Sequence, residues 1–312
     1  MDHLGSGREW DLTRKNGGLT IIPPFAEKTV KMYNGRVQAL ASILELLRDQ
    51  KEEYVVMSDA NIAVNFDFSA MLQAHIESGA DVTVAYKEEE LADSLKNLDI
   101  MKEDFFYTLA LEGDRVKKIY VNSEESGPQK LSMNIYILKR ELLIDLVHTA
   151  FVRGYVYFER DILAHRLDKL NVKAYRFDGY LARITDMKSY FDENMKLLED
   201  ENLDALFNPN PIYTKIRDDN PTRYINGSKV KNVMAADGCI IEGEVENSIL
   251  FRGVKIEKGA KVKNCILMQD TVVEKGADIE YLITDKQVTI TSGTEMKGTD
   301  SYPVYIAKFR TV

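Results

Sequence analysis

The chain has 312 residues, 45% of them hydrophobic and 29% charged, with a formal net charge of −9. These proportions describe a globular protein able to build a real core, and the length favours two domains. The negative balance, with no long basic run, speaks against nucleic acid or a membrane as partner, and no apolar run reaches the roughly 18 residues of a span.

The N-terminal stretch "MDHLGSGREW" lacks the basic-then-apolar build of a secretion signal, so the cytoplasm is the expected compartment. Gly5-Ser6-Gly7-Arg8 contains glycine but follows no strand, which argues against a phosphate loop there. "GGLTIIPPF" reads as a strand ending at Pro23-Pro24, and "GRVQALASILELLRDQ" sets Val37, Leu40, Ile43, Leu44 and Leu47 on one helical face. "YVVM" (54–57) is suited to a buried strand and runs into Asp59-Ala60-Asn61, the kind of strand end where α/β enzymes place a metal-holding carboxylate. "FSAMLQAHIESG" predicts a helix stopped by Gly79, and "ADVTVAY" another strand. Glu88-Glu89-Glu90 reads as a solvated loop, and His75 as structural.

"DFFYTLALEGDRVKKIYV" predicts a hairpin turning at Gly113-Asp114, and "LSMNIYIL" a strand. Helical patterns follow at 139–150 and 158–170, then an extended stretch "NVKAYRFDGYLARITD" and a helix over 186–200 with Asp186 as N-cap. Strands alternating with helices predict a doubly wound, mostly parallel sheet with the hairpin as an antiparallel addition.

From residue 228 the pattern changes. Ile256, Val273 and Ile290 recur every 17 residues, as do Val262, Ile279 and Met296, and the pairs Gly259-Ala260, Gly276-Ala277 and Gly293-Thr294. A short fixed period rich in aliphatic and small residues marks a solenoid, and coils near this length fit a left-handed parallel β-helix. Cys239 and Cys265 offer neither disulfide framework nor metal-ligand spacing and read as small stacking residues inside it. None of the four histidines lies in this region, which argues against acyl transfer by a histidine base. The expected division is an α/β domain over 1–207, a proline-bearing linker over 208–227, and the β-helix over 228–312.

An α/β domain joined to a β-helix resembles the glucose-1-phosphate adenylyltransferase (ADP-glucose pyrophosphorylase) family. "YNGRVQALASILELL" resembles that family's "GTADAV" helix start, with Gly35 retained. "EYVVMSDANIAVNFDFSAMLQAHIESGADVTVA" is similar to its metal-site strand, "LSMNIYIL" to its "SMGIY" sugar-site strand, and "FDGYLARITDMKSYFDEN" to its "GYWRDVGT" segment. The resemblance implies a nucleotidyltransferase sheet, here incomplete at the N-terminus, because the chain starts about 65 residues into the family pattern and no glycine-rich phosphate loop follows a strand. A sheet lacking that unit is expected to expose one face, so that either a partner supplies the missing piece or the chain is poorly stable.

In this family two aspartates hold Mg²⁺, and a hard dication needs anionic oxygen ligands. Carried over, the first aspartate falls on Asn61 and the second on Arg183, so two negative charges become one positive. The "EKP" glutamate and the lysine that grips the sugar phosphate fall on Asn122 and Ser123. Asp59 lies two residues before Asn61, about 6.5–7 Å away along a strand, and reads as a turn or helix-end carboxylate rather than as the metal ligand. Ser132, Tyr136 and Asp161 keep sugar-site positions, so a weakened substrate pocket of Gly35, Ser123, Ser132, Tyr136 and Asp161 is expected.

The resemblance, with "DHLGSGREWDL" and the divergent site, implies a non-catalytic or weakly catalytic regulatory subunit in glycogen biosynthesis. It binds no cofactor itself, and its partner is a catalytic homologue, in a hetero-tetramer, that makes ADP-glucose from ATP and glucose 1-phosphate with Mg²⁺. The alternative is a sugar-1-phosphate nucleotidyltransferase of low activity.

Overall fold

In the computed structural model the structure describes residues 3–14, 17–22, 33–91, 95, 106–214 and 218–312. The chain divides into two compact units: Leu12–Ile62 with Phe66–Gly179, and Asp2–Asp11 with Ala63–Asn65 and Tyr180–Val312. This differs from the expected boundary at 207. The helix over 187–196 sends Phe191 into a buried cluster with Ile266 and Ile283, so its apolar face is satisfied by the solenoid. The solenoid itself begins before 228, since Arg223 and Tyr224 already pair in parallel with Ile240 and Ile241.

In the first unit β1 (Tyr54–Met57), β3 (Val82–Glu89), β4 (Tyr107–Glu112), β5 (Arg115–Val121), β6 (Gln129–Lys139) and β7 (Val172–Arg176) form one sheet in the order β1-β6-β3-β7-β5-β4. The short strand β2 (Ile62–Val64) follows β1, and β8 (Leu181–Arg183) lies in the second unit. Only β3 and β7 pair in parallel, because β6 lies antiparallel between β1 and β3. The sheet is therefore mixed rather than mostly parallel. Its longest strand is β6, between β1 and β3, whose apolar run is buried on both faces and so takes an interior place.

The hairpin turns at Gly113 (φ 61°) between β4 and β5, as the sequence predicts. The 35–50 stretch forms two short helices, α1 (Arg36–Ala41) and α2 (Leu44–Arg48), which with α4 (Arg140–Val152) cover the sheet through Val37, Leu47, Leu143 and Leu146. Between them in sequence, α3 (Phe68–Ser78) starts where Asp67 accepts the Ala70 N–H at 2.9 Å and stops at Gly79, φ 60°.

Three further expectations need correction. Residues 17–22 form no strand, and Pro23-Pro24 lies outside the described residues. Glu88 and Glu89 belong to β3 and pair with Lys130 and Gln129, so cross-strand pairing holds them and only Glu90 leaves the strand. The 158–170 pattern is a six-residue π-type turn, Phe158–Leu163, in which the Ala164 N–H reaches back to the Glu159 carbonyl. No helix among the described residues is long and apolar enough to cross a membrane.

In the second unit α5 (Met187–Lys196) opens with a capping box between Asp186 and Ser189, and α6 (Asp200–Phe207) follows. Parallel strands then stack over about four turns. Ile241, Ile256, Val273 and Ile290 form one inward ladder, and Val245, Val262, Ile279 and Met296 another. The period follows from the corners. Asn232, Asn247, Asn264 and Tyr281 turn with φ between 45° and 55°, and Gly259, Gly276 and Gly293 with φ between 72° and 77°. Asparagine and glycine tolerate this left-handed region best, which is why they recur there. Cys265 is fully buried in this core and Cys239 likewise, as stacking residues.

Candidate functional site

The loop after β1, the middle of β6 and the turn over 158–163 together hold a network of charged and polar side chains. β6 bulges where Val84 pairs with Tyr136 but Tyr86 pairs with Ser132, leaving Met133–Ile135 to bow out. Asn134, at the centre of the bulge, has φ 54°, and its Nδ2 donates to Asp59 Oδ2 at 2.6 Å. Bulges of this kind re-aim a side chain, and here the one re-aimed is an amide.

Arg36, the first residue of α1, bridges the network. Its Nη2 pairs with Asp59 Oδ1 and its Nη1 with Glu159 Oε1, and its guanidinium carbon lies 5.5 Å from the Tyr136 ring centre. The side chain of Glu159 is only 5% exposed. Burial pushes that carboxyl upward against the pull of Arg36. For Arg36 itself burial works downward, but Glu159, Tyr136 and Asp59 outweigh it and hold the guanidinium charged. Burial, with Glu159 adding to it, pushes the Tyr136 phenol well above its ordinary range.

The sequence-derived residues fall as follows. Asp59 has one oxygen on Arg36 and the other on Asn134. Asn61 is exposed beyond the end of β1. Arg183 is half-buried at the end of β8, in the second unit. Ser132 is buried, and its hydroxyl donates to Asn134 Oδ1 at 3.2 Å and lies 3.4 Å from the Tyr136 hydroxyl. Tyr136 is buried edge-on to Phe158, with ring centres 5.6 Å apart.

Asp161 caps the backbone entering the π-type turn, its Oδ2 accepting from Val156 N and Tyr157 N at 2.9 Å each. Burial would raise this carboxyl, but hydrogen bonds from Arg160, Tyr157 and Val156 hold it below its ordinary value. Gly35 is extended, and a Cβ there would come within 2.6 Å of the Val156 carbonyl oxygen, so close backbone approach explains the glycine. Ser123 accepts from Glu125 N and borders a cavity of about 460 Å³ with Leu91 and Phe106 on its apolar side. Glu90, Glu124 and Glu125 also line that cavity, and no lysine or arginine does among the described residues.

A divalent cation does not fit the residues at these positions. Asn61 is neutral, Arg183 is cationic, and both oxygens of Asp59 already serve an arginine and an amide. No group of three His, Cys, Asp or Glu side chains with metal-binding geometry occurs among the described residues. Sequence reasoning missed Arg36, Asn134 and Glu159. The available signals were an arginine directly after Gly35 and the charged run Glu159-Arg160-Asp161 inside an otherwise apolar segment.

An α/β sheet with polar side chains gathered after β1 and at the bulge of β6, in one chain with a parallel β-solenoid, is the arrangement of a nucleotidyltransferase-type protein carrying hexapeptide-like repeats. Residues 2–200 match the nucleotidyl transferase family, and residues 216–302 the GlmU-like C-terminal hexapeptide family. The chain is 34% identical to the glycogen biosynthesis protein GlgD of Bacillus subtilis (strain 168), over 99% of this chain and 78% of that protein. It is 32% identical to the glucose-1-phosphate adenylyltransferase of Bacillus mycoides (strain KBAB4), over 84% of this chain and 69% of that enzyme. The chain belongs to the nucleotidyl transferase family and, within it, to the glucose-1-phosphate adenylyltransferase group in which GlgD falls.

Proposed function

We propose that this chain is a regulatory subunit of glucose-1-phosphate adenylyltransferase in glycogen biosynthesis, without turnover of its own. It acts in a hetero-tetramer with a catalytic homologue in the cytoplasm, and Mg²⁺ and ATP are used by that homologue. The observation that carries this reading is the state of Asp59, the carboxylate two residues before Asn61, whose two oxygens are held by Arg36 and Asn134. Asn61, Arg183, Asn122 and Ser123, standing where the family resemblance places charged functional groups, support the same reading. So does the acidic rim beside Ser123, since it repels a sugar phosphate.

The test is ADP-glucose formation from ATP, glucose 1-phosphate and Mg²⁺, by the chain alone and mixed with a catalytic subunit. Silence alone, with the partner's apparent affinity or activation changed by about 5–150-fold in the mixture, is the expected result for a coupling of about 1–3 kcal/mol. Turnover by the chain alone favours the other reading, a sugar-1-phosphate nucleotidyltransferase of low activity.

A further inference from the structure

Arg36 is placed unlike a surface ion pair. It reaches from the start of α1 to carboxylates on two other elements, Asp59 after β1 and Glu159 in the π-type turn, with Tyr136 of β6 beside it. Its side chain is 19% exposed, and the groups it holds are acceptors: the Asp59 and Glu159 carboxylates, with Asn134 bound in turn to Asp59. Convergent acceptors next to an aromatic ring make a surface suited to a polyhydroxylated ligand, and a planar guanidinium fork saturates two carboxylates at once.

We propose that Arg36 is a built-in occupant of a hexose-binding site, its guanidinium filling the space and taking the acceptors that sugar hydroxyls would otherwise use. The chain thereby holds the site closed from within, in the absence of any ligand. The inference rests on the reading above and deepens it, because a self-occupied site accounts for a subunit that keeps Ser132 and Tyr136 yet does not turn over. A purely structural ion pair makes a different forecast: its removal weakens the fold and reveals no binding.

The experiment compares wild type with the double variant Arg36→Thr/Glu159→Gln, which removes the buried Glu159 charge together with its cation and leaves the part-exposed Asp59 to Asn134. Binding of α-D-glucose 1-phosphate is read by isothermal titration, and by its effect on the melting temperature. Wild type is expected to show no saturable binding and no shift. The double variant is expected to bind saturably, at least about tenfold more tightly than any wild-type signal, and to melt higher as the sugar phosphate is added. A folded double variant that does not bind, or wild type that binds equally well, overturns the proposal. Should the double variant not fold, Arg36→Gln decides: its shorter, neutral side chain gives up both ion pairs, so gained binding supports the proposal and its absence in the folded variant overturns it. Binding, not turnover, is the readout, so ADP-glucose formation by wild type alone sinks the functional reading without deciding this one.

Discussion

Asn134 Nδ2 donates to Asp59 Oδ2 at 2.6 Å from a residue whose φ is 54°. The contact and the backbone strain are linked, because the left-handed bulge is what turns the amide toward the carboxylate. Asn134→Ala loses the donor and places a less tolerant residue at positive φ. It is expected to lower stability by about 1–3 kcal/mol in urea denaturation. Asn134→Gly relieves the backbone term and is expected to lose less. Equal losses in the two variants would mean the bulge is unstrained.

His75 is buried, with Nδ1 2.7 Å from Thr83 Oγ1 and its ring edge-on to Tyr54. Burial lowers its pKa below the ordinary 6.5, with Asp81 opposing and Lys139 reinforcing the shift. The unfolded chain therefore takes up the proton first as pH falls. Stability from this group is intact above the ordinary value and declines as pH drops from 6.5 toward the lowered folded value. Melting temperatures between about pH 7.5 and about pH 5 should show this slope, reduced in His75→Gln. An unchanged slope in the variant assigns it to the carboxylates instead.

Burial pushes the Cys265 thiol up to about 12. Since the thiolate is the reactive species, Cys265 is expected to resist thiol reagents in the folded protein and to react rapidly in denaturant. Rapid modification under native conditions would show that the solenoid opens locally at this coil.

Two glycines separate two causes of glycine preference. At Gly276, φ is 74° and an added Cβ meets open space, so Gly276→Ala is expected to cost about 1–2 kcal/mol from backbone strain alone. At Gly298 a Cβ would come within 2.6 Å of the Tyr281 carbonyl oxygen, so Gly298→Ala is expected to cost more. Thermal melts of the two variants rank them, and the reverse order would refute the assignment.

Restoring Asn61→Asp and Arg183→Asp together is expected to leave the chain without ADP-glucose formation, because Asn122, Ser123 and Arg36 remain as they are. Mg²⁺-dependent turnover in that double variant would show that the metal ligands alone had been lost.

How much of this was legible in the sequence depended on the distance over which each feature is specified. The solenoid was readable because Ile256, Val273 and Ile290 repeat a local pattern that stacking turns directly into structure. The hairpin at Gly113 was readable for the same reason. "GGLTII" has strand-like residues but no strand, since apolar character alone supplies no pairing partner. The insertion of β6 between β1 and β3 is a long-range choice that local periodicity does not encode. α6 was missed because "DENLDALF" carries too short an apolar stripe to separate it from the linker. The degenerate positions Asn61 and Arg183 came from comparison with a motif, whereas the Arg36 network joins residues 23 and 123 positions apart and became visible only in three dimensions.

The corner spacing of the solenoid makes its length change in quanta. Excising 17 consecutive residues, for instance 259–275, would bring Gly276 to the corner left by Gly259 and set Ile279 beside Val245, with every inward aliphatic still inward. The rod would shorten by one strand spacing, about 4.8 Å. An excision of 16 or 18 residues would instead turn the ladders inside out, because a one-residue slip exchanges the two faces of a strand. Whole-coil gain or loss is thus the cheapest route by which this half of the molecule can alter its reach without rebuilding its core.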